Sequence, residues 1–168
     1  MKTCFTLLLL IVSIGIANAQ TMPKFPYEEM DKQATEFFES YRNLKADTLA
    51  SLFADSMEYI DETYAGLGGK AAQIKGKEKL RDHYKKQAFA HAIKFDWKEE
   101  NRFFSGEQGI FRGILTAYYK GTMAGRSADI TYSWTAPYVV VLTFKDGKII
   151  RQNDYLDYRA AKWAEEKK

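Results

Sequence analysis

The dipeptide Asp146-Gly147 constrains this 168-residue chain more than any other feature. It separates two β-rich runs, residues 138–144 and 149–158. Asp-Gly between such runs specifies a two-residue hairpin, because a type I′ turn needs positive φ at both central positions. Uninterrupted pairing outward from the turn sets Lys145 against Lys148, Phe144 against Ile149, Leu142 against Arg151, Val140 against Asn153 and Tyr138 against Tyr155. Side chains alternate along a strand, so Ile149, Arg151, Asn153, Tyr155 and Asp157 are expected to share one face. That face begins apolar and ends in an amide, a phenol and a carboxylate, the pattern of a strand that lines a hollow.

The first nineteen residues read as an export signal. Lys2 supplies a positive start, residues 5–16 an apolar run, and Ala17-Asn18-Ala19 a small-residue cleavage site before Gln20. The run is shorter than the ~20 residues of a membrane span. The expectation is therefore a periplasmic or secreted protein with no stable membrane anchor after cleavage near Ala19. About 150 residues would remain, ordinary for one domain with a sizeable core. The single cysteine, Cys4, leaves with the signal, so thiol chemistry is not expected. The net charge of +3 comes from interspersed acids and bases, unlike the basic stripe of a nucleic-acid binder.

After a lead-in over residues 20–30, Met30, Ala34, Phe37, Phe38, Tyr41 and Leu44 recur at helical spacing and predict one buried stripe. Asp47 can cap a second short helix through Phe53. A short strand should follow with Met57, Tyr59 and Asp61 on one side, then a glycine-rich loop over residues 63–76. A third helix is predicted over 77–90 with Leu80, Tyr84, Gln87 and His91 along a face. The period then changes to two, with Ile93, Phe95 and Trp97 on the buried side of a strand. Residues 110–123 continue as β structure, and 160–168 read as a short charged helix or tail. Helices first and antiparallel strands afterwards indicate an α+β domain in which a strongly curved antiparallel sheet packs against N-terminal helices and encloses a cone.

Several stretches resemble the nuclear transport factor 2-like superfamily, and its SnoaL-like branch in particular. They are Phe37-Phe38-Glu39-Ser40-Tyr41, Leu52-Phe53-Ala54-Asp55 leading to Tyr59-Ile60-Asp61, Gly76-Lys77-Glu78-Lys79-Leu80, and Asp146-Gly147-Lys148-Ile149 with Tyr155-Leu156-Asp157. The resemblance covers residues 31–158. It implies a cone-shaped fold that hosts isomerases, cyclases, dehydratases and non-catalytic binders alike. Enzymes of the family place a carboxylate in the cone with a tyrosine, asparagine or arginine nearby. The matching positions are Asp61 and Asp157, with Tyr59, Asn153 and Tyr155. Arg151 and Asp157 lack the Arg-x-Asp spacing of epoxide-hydrolase members.

The candidate catalytic residues are thus Asp157 and Asp61, and the candidate ligand-binding residues Tyr59, Tyr84, Trp97, Tyr138, Asn153 and Tyr155. A desolvated carboxylate walled by aromatic rings can take a proton from carbon next to a carbonyl while a phenol steadies the enolate. Ketosteroid isomerase divides the labour in this way. Such chemistry needs no cofactor. Against it, Asp157 could cap a strand end and Asp61 could form a turn with Glu62-Thr63. His83 and His91, ~12 Å apart on a continuous helix, cannot share one metal. The run Gly66-Leu67-Gly68-Gly69-Lys70 continues with Ala71 where a phosphate loop needs serine or threonine. The expected partner is a small apolar or amphipathic molecule. The alternative is a non-catalytic module that dimerises through an open sheet face bearing Val139, Val141, Ile150 and Leu156.

Overall fold

The computed structural model describes residues 26–66, 69–124, 127 and 129–167. The expected export signal, and the lead-in up to residue 25, lie outside the described residues. Helix α1 (Tyr27–Arg42) buries Met30, Ala34, Phe37 and Phe38, the stripe its spacing predicts. Glu28 and Glu29 in its first turn and Arg42 in its last complement the helix dipole. Phe38 stacks flat on Trp97 at 4.9 Å and meets the edge of Phe111 at 5.1 Å, which seats the helix on the sheet. Each such ring contributes roughly 2 kcal/mol by burial. Arg102 clamps the other side of α1, donating to Asp31 Oδ1 at 2.6 Å and Thr35 Oγ1 at 2.9 Å.

The second helix, α2 (Ala46–Ser51), ends before Phe53, and Asp47 does not cap it. Asp47 instead pairs with Lys85 at 2.6 Å. Leu49, Leu52 and Phe53 are all buried. Strand β1 (Phe53–Asp61) follows, then a single turn α3 (Thr63–Gly66). The region expected to be loop contains an edge strand, β2 (Ala72–Lys75), which pairs antiparallel with β1 and sets Ile74 opposite Tyr59. Helix α4 (Lys77–His83) begins after Gly76, whose φ of 96° a side chain would strain, and continues as a π turn (Tyr84–Ala88).

Four long strands complete the sheet: β3 (Ala92–Ser105), β4 (Gln108–Lys120), β5 (Ile130–Lys145) and β6 (Lys148–Leu156). With β1 and β2, the strand order across the sheet is β2-β1-β6-β5-β4-β3. The sheet is mixed, because β1 runs parallel to β6, while its other pairings are antiparallel. Phe95 and Trp97 face the helices as expected, but Ile93 falls in a bulge of β3 and is exposed. The charged end is neither helix nor tail. It forms β7 (Lys162–Lys167), paired with the first half of β5. β5 exchanges partners at Pro137, from β7 on one side of it to β6 on the other. Proline has no N–H to donate, so a break in the ladder there loses nothing.

The hairpin at Asp146-Gly147 has positive φ at both residues, 50° and 67°, and pairs Lys145 with Lys148 and Phe144 with Ile149. Beyond that the expected register fails by one residue. Thr143 faces Arg151, Leu142 faces Gln152, Val140 faces Asp154 and Tyr138 faces Leu156, because Ile150 is an extra residue in a β-bulge. One extra residue reverses which side chains point inward. Gln152, Asp154 and Leu156 therefore share the inner face with Ile149, and Arg151, Asn153 and Tyr155 turn away. The physical reason is charge. Straight pairing would press Arg151 between Leu142 and the core, whereas the bulge lets it pair with Glu58 on the outer side.

Candidate functional site

Parallel pairing of β1 and β6 brings two carboxylates together, with Asp61 opposite Asp154 and Tyr59 opposite Gln152. Tyr59, Asp61 and Asp154 line the hollow between helices and sheet, and Gln152 is buried behind them. The hollow is a cavity of about 440 Å³, the size of a small-molecule site. Tyr41, Tyr59, Phe95, Tyr119, Trp134 and Tyr138 supply its aromatic walls, and Ile74, Leu115 and Leu156 its aliphatic ones. Asp61, Asp154, His83 and Gln87 are its polar points.

Asp154 is 5 % exposed and its carboxyl is pushed up to about 7. Burial is the main cause, since water no longer solvates the charge. The neighbouring Asp61 adds like-charge repulsion. Hydrogen bonding from Tyr138, Gln152 and Tyr59 pulls the other way. Gln152 is wholly buried and the one polar residue among the largest fully buried side chains. Its Nε2 donates to both carboxylate oxygens of Asp154 at 3.0 and 3.1 Å, and its Oε1 accepts from the Tyr84 hydroxyl at 3.0 Å. The chain Tyr84–Gln152–Asp154 thus fixes the amide and presents the carboxyl to the cavity. Burial also pushes the hydroxyls of Tyr41, Tyr59, Tyr84 and Tyr138 up, so they remain protonated donors. Burial lowers His83, against a hydrogen bond that its ring donates to Gln87 and the charge of Asp61.

The expected site residues divide sharply. Tyr59, Tyr138 and Asp61 line the cavity. Asp61 also forms the turn foreseen for it, accepting the Thr63 N–H at 2.9 Å. Tyr84 stands behind the wall and acts through Gln152. Trp97 belongs to the packing, stacked on Phe38 and edge-on to Tyr138 at 6.0 Å. Gly113 makes room for it, since a Cβ there would lie 2.7 Å from the indole. The remaining three are corrected by the bulge. Asn153 is on the outer face, Tyr155 is 44 % exposed, and Asp157 lies outside the cavity. Asp157 caps the 3₁₀ turn Tyr158–Ala160, accepting from the N–H groups of Arg159 at 3.0 Å and Ala160 at 3.2 Å. Asp154 holds the position expected of Asp157.

Residues 34–152 match the family described as SnoaL-like domain. The chain belongs to the SnoaL-like domain family. Its fold is that of the nuclear transport factor 2-like superfamily, and solved structures share it at low identity. A proposed SnoaL-like polyketide cyclase from Shewanella denitrificans superposes with a TM-score of 0.66 at 17 % identity, covering 81 % of this chain and 94 % of that one. A protein of ketosteroid isomerase-like fold from Catenulispora acidiphila, in complex with trimethylamine, gives 0.61 at 15 %, covering 76 % and 87 %. TerC co-crystallised with polyporic acid gives 0.61 at 14 %, covering 79 % and 94 %. No curated protein matches the sequence. Sequence reasoning missed Asp154, Gln152 and Tyr41 of this SnoaL-like site, as well as His83, Gln87, Tyr119 and Trp134 on the cavity wall. The signal was available in Arg151, whose burial an unbulged strand would require.

Proposed function

We propose that this SnoaL-like protein is exported, binds a small molecule in the cavity, and carries out cofactor-free proton transfer with Asp154 as general base. Export rests on the signal-like residues 1–19, and the chemistry on one observation: a buried carboxyl held near neutrality in an aromatic cavity. A base whose pKa lies near the working pH is both available and strong enough to act. The ionised Asp154 takes a proton from carbon adjacent to a carbonyl. Tyr138 and Tyr59 spend their hydroxyls on that carboxylate, so Tyr41, which lines the same cavity and is kept protonated by burial, donates toward the enolate oxygen. Gln152 holds the carboxylate in place, and Asp61 repels its charge and raises its basicity. Isomerisation, cyclisation and dehydration can each begin with this step. The cyclase description of the Shewanella neighbour and the small molecules in complex with the other two support the reading.

The test is native mass spectrometry of protein recovered from its exported compartment, looking for a retained small molecule. Asp154→Asn should then abolish turnover of that molecule with near-ultraviolet circular dichroism unchanged. Retained turnover in the variant removes Asp154 from the chemistry.

Dimerisation through the outer sheet face is the second reading. Register places Phe103, Ile110, Val141 and Asn153 in one row across four strands on the side away from the helices, and Phe103 is 51 % exposed. Leu156, expected in that patch, faces the cavity instead. Phe103→Asp with Val141→Asp should convert a dimer to monomer in sedimentation velocity. A monomeric native protein ends this reading.

A further inference from the structure

A groove of about 690 Å³ runs along the outside of α4 and β2. Ile74, His83 and Gln87 line both this groove and the internal cavity, so those three side chains are what stands between them. The π turn over Tyr84–Ala88 contributes to that partition. Its wide hydrogen bond, from Phe89 N–H to the Tyr84 carbonyl at 2.8 Å, accompanies a placement of Gln87 and Ala88 on the cavity wall. Such turns concentrate at functional positions.

The groove is basic. Lys75, Lys79 and Lys86 line it against one carboxylate, Asp82. Lys86 is paired with Asp82 at 2.8 Å, and Lys75 reaches Glu58 at 3.2 Å on the outer sheet face. Lys79 has no ion pair among the described residues. A second groove meets the cavity at Thr63, Leu156 and Tyr158, and it carries the opposite balance, with Glu62 and Asp157 against Arg159. The cavity itself holds Asp61 and Asp154 and, among the described residues, no lysine or arginine. The field therefore runs from positive at the α4–β2 side to negative at the centre.

We propose that the ligand enters past Ile74, His83 and Gln87, and that it is an amphipathic carboxylate. Its apolar body occupies the aromatic cavity, and its carboxylate stays outside against Lys79 and Lys86. The two interior acids repel an incoming anion, while the lysines attract it, so one orientation is favoured over the reverse. This rests on the reading of the cavity as a binding site and adds the class and orientation of what it binds.

The test compares two probes of nearly equal shape, 2-naphthoate and the neutral 2-acetylnaphthalene. Each is titrated into the full chain at pH 8 while following tryptophan fluorescence, to which Trp134 in the cavity wall contributes. At about 20 mM salt the anion should bind about tenfold more tightly than the neutral probe. That ratio should fall toward one at about 300 mM salt, where the lysines are screened. It should fall likewise in Lys79→Gln/Lys86→Gln, and the conservative Lys79→Arg/Lys86→Arg should restore it. Equal affinities, preference for the neutral probe, or an anion preference indifferent to the lysine variants overturns the proposal. Neutral binding without anion preference leaves the binding cavity standing and ends only this proposal. Failure of both probes to bind ends both.

Discussion

Asp154 and Asp157 lie three residues apart at the end of β6 and beyond it, yet they occupy opposite environments. Asp154 is buried among tyrosines, bonded by Gln152 and raised to about 7. Asp157 is exposed, and its Oδ1 accepts from two backbone N–H groups of a 3₁₀ turn. Composition does not separate them. What separates them is strand parity, set by the single extra residue Ile150, and the parallel strand β1 that brings Asp61 alongside one and not the other. A carboxylate acquires a raised pKa here from its position in a ladder.

The largest expected contrast is catalytic. Asp154→Asn should lower turnover of the retained ligand by at least about 100-fold, while Asp157→Ala should leave it within about twofold once corrected for folded fraction. Equal losses in steady-state assays would erase the distinction between the two acids.

Stability should move in the opposite direction. The folded pKa of Asp154 lies above its ordinary value, so the native state holds a proton that the unfolded state releases. That contribution is fully present below pH about 4 and is lost as pH rises through about 7. The loss is on the order of 4 kcal/mol. Asp154→Asn removes it, so in urea titrations the variant should exceed the native protein at pH 8 and match it near pH 4. A variant less stable at pH 8 would mean that the ionised carboxylate is welcome in the fold.

Gln152→Leu sharpens the comparison from behind the cavity wall. It leaves the Tyr84 hydroxyl unpartnered and strips two donors from Asp154, at a cost of about 2 kcal/mol in denaturant unfolding. The Asp154 pKa should rise further. Deleting Ile150 tests parity itself. A straight ladder from Phe144–Ile149 through Thr143–Arg151 to Leu142–Gln152 would keep Asp154 inward, so the deletion should cost about 1–2 kcal/mol by losing one partly buried isoleucine. The elevated pKa should survive. An Asp154 that titrates as an exposed acid in that variant would show that the bulge holds it in place. The smallest effect is Asp157→Ala, about 1 kcal/mol in thermal unfolding, the ordinary worth of a cap.

Local order in this fold is legible in the sequence where one element specifies itself. The α1 stripe follows from 3.6-residue periodicity, and the Asp146-Gly147 turn from its demand for positive φ. Tyr59 and Asp61 share a face on an uninterrupted stretch of strand, so their inward side follows from alternation. Apart from the Asp47 cap, the failures are matters of long-range pairing. β2 has one half-buried apolar residue, Ile74, in a glycine-rich stretch, so its alternation is invisible without β1 beside it. β7 is charged and holds an exposed Trp163, and only the free half of β5 makes it a strand. The Ile150 bulge inverts a face with no turn residue to mark it. Its trace lies in Arg151, a cation that the straight register would bury. The cavity carboxyl was legible as a type of group at the end of β6, and its identity depended on counting one residue differently.

The most direct measurement is a carbon-13 NMR titration of the side-chain carboxyls, with Asp154 assigned by Asp154→Asn. The expected result is one aspartate with a midpoint near pH 7, shifted when Gln152 is replaced and absent in Asp154→Asn. An Asp154 carboxyl that titrates near pH 4, with the solvent-facing acids, would contradict a desolvated base in the cavity and with it the proposed chemistry.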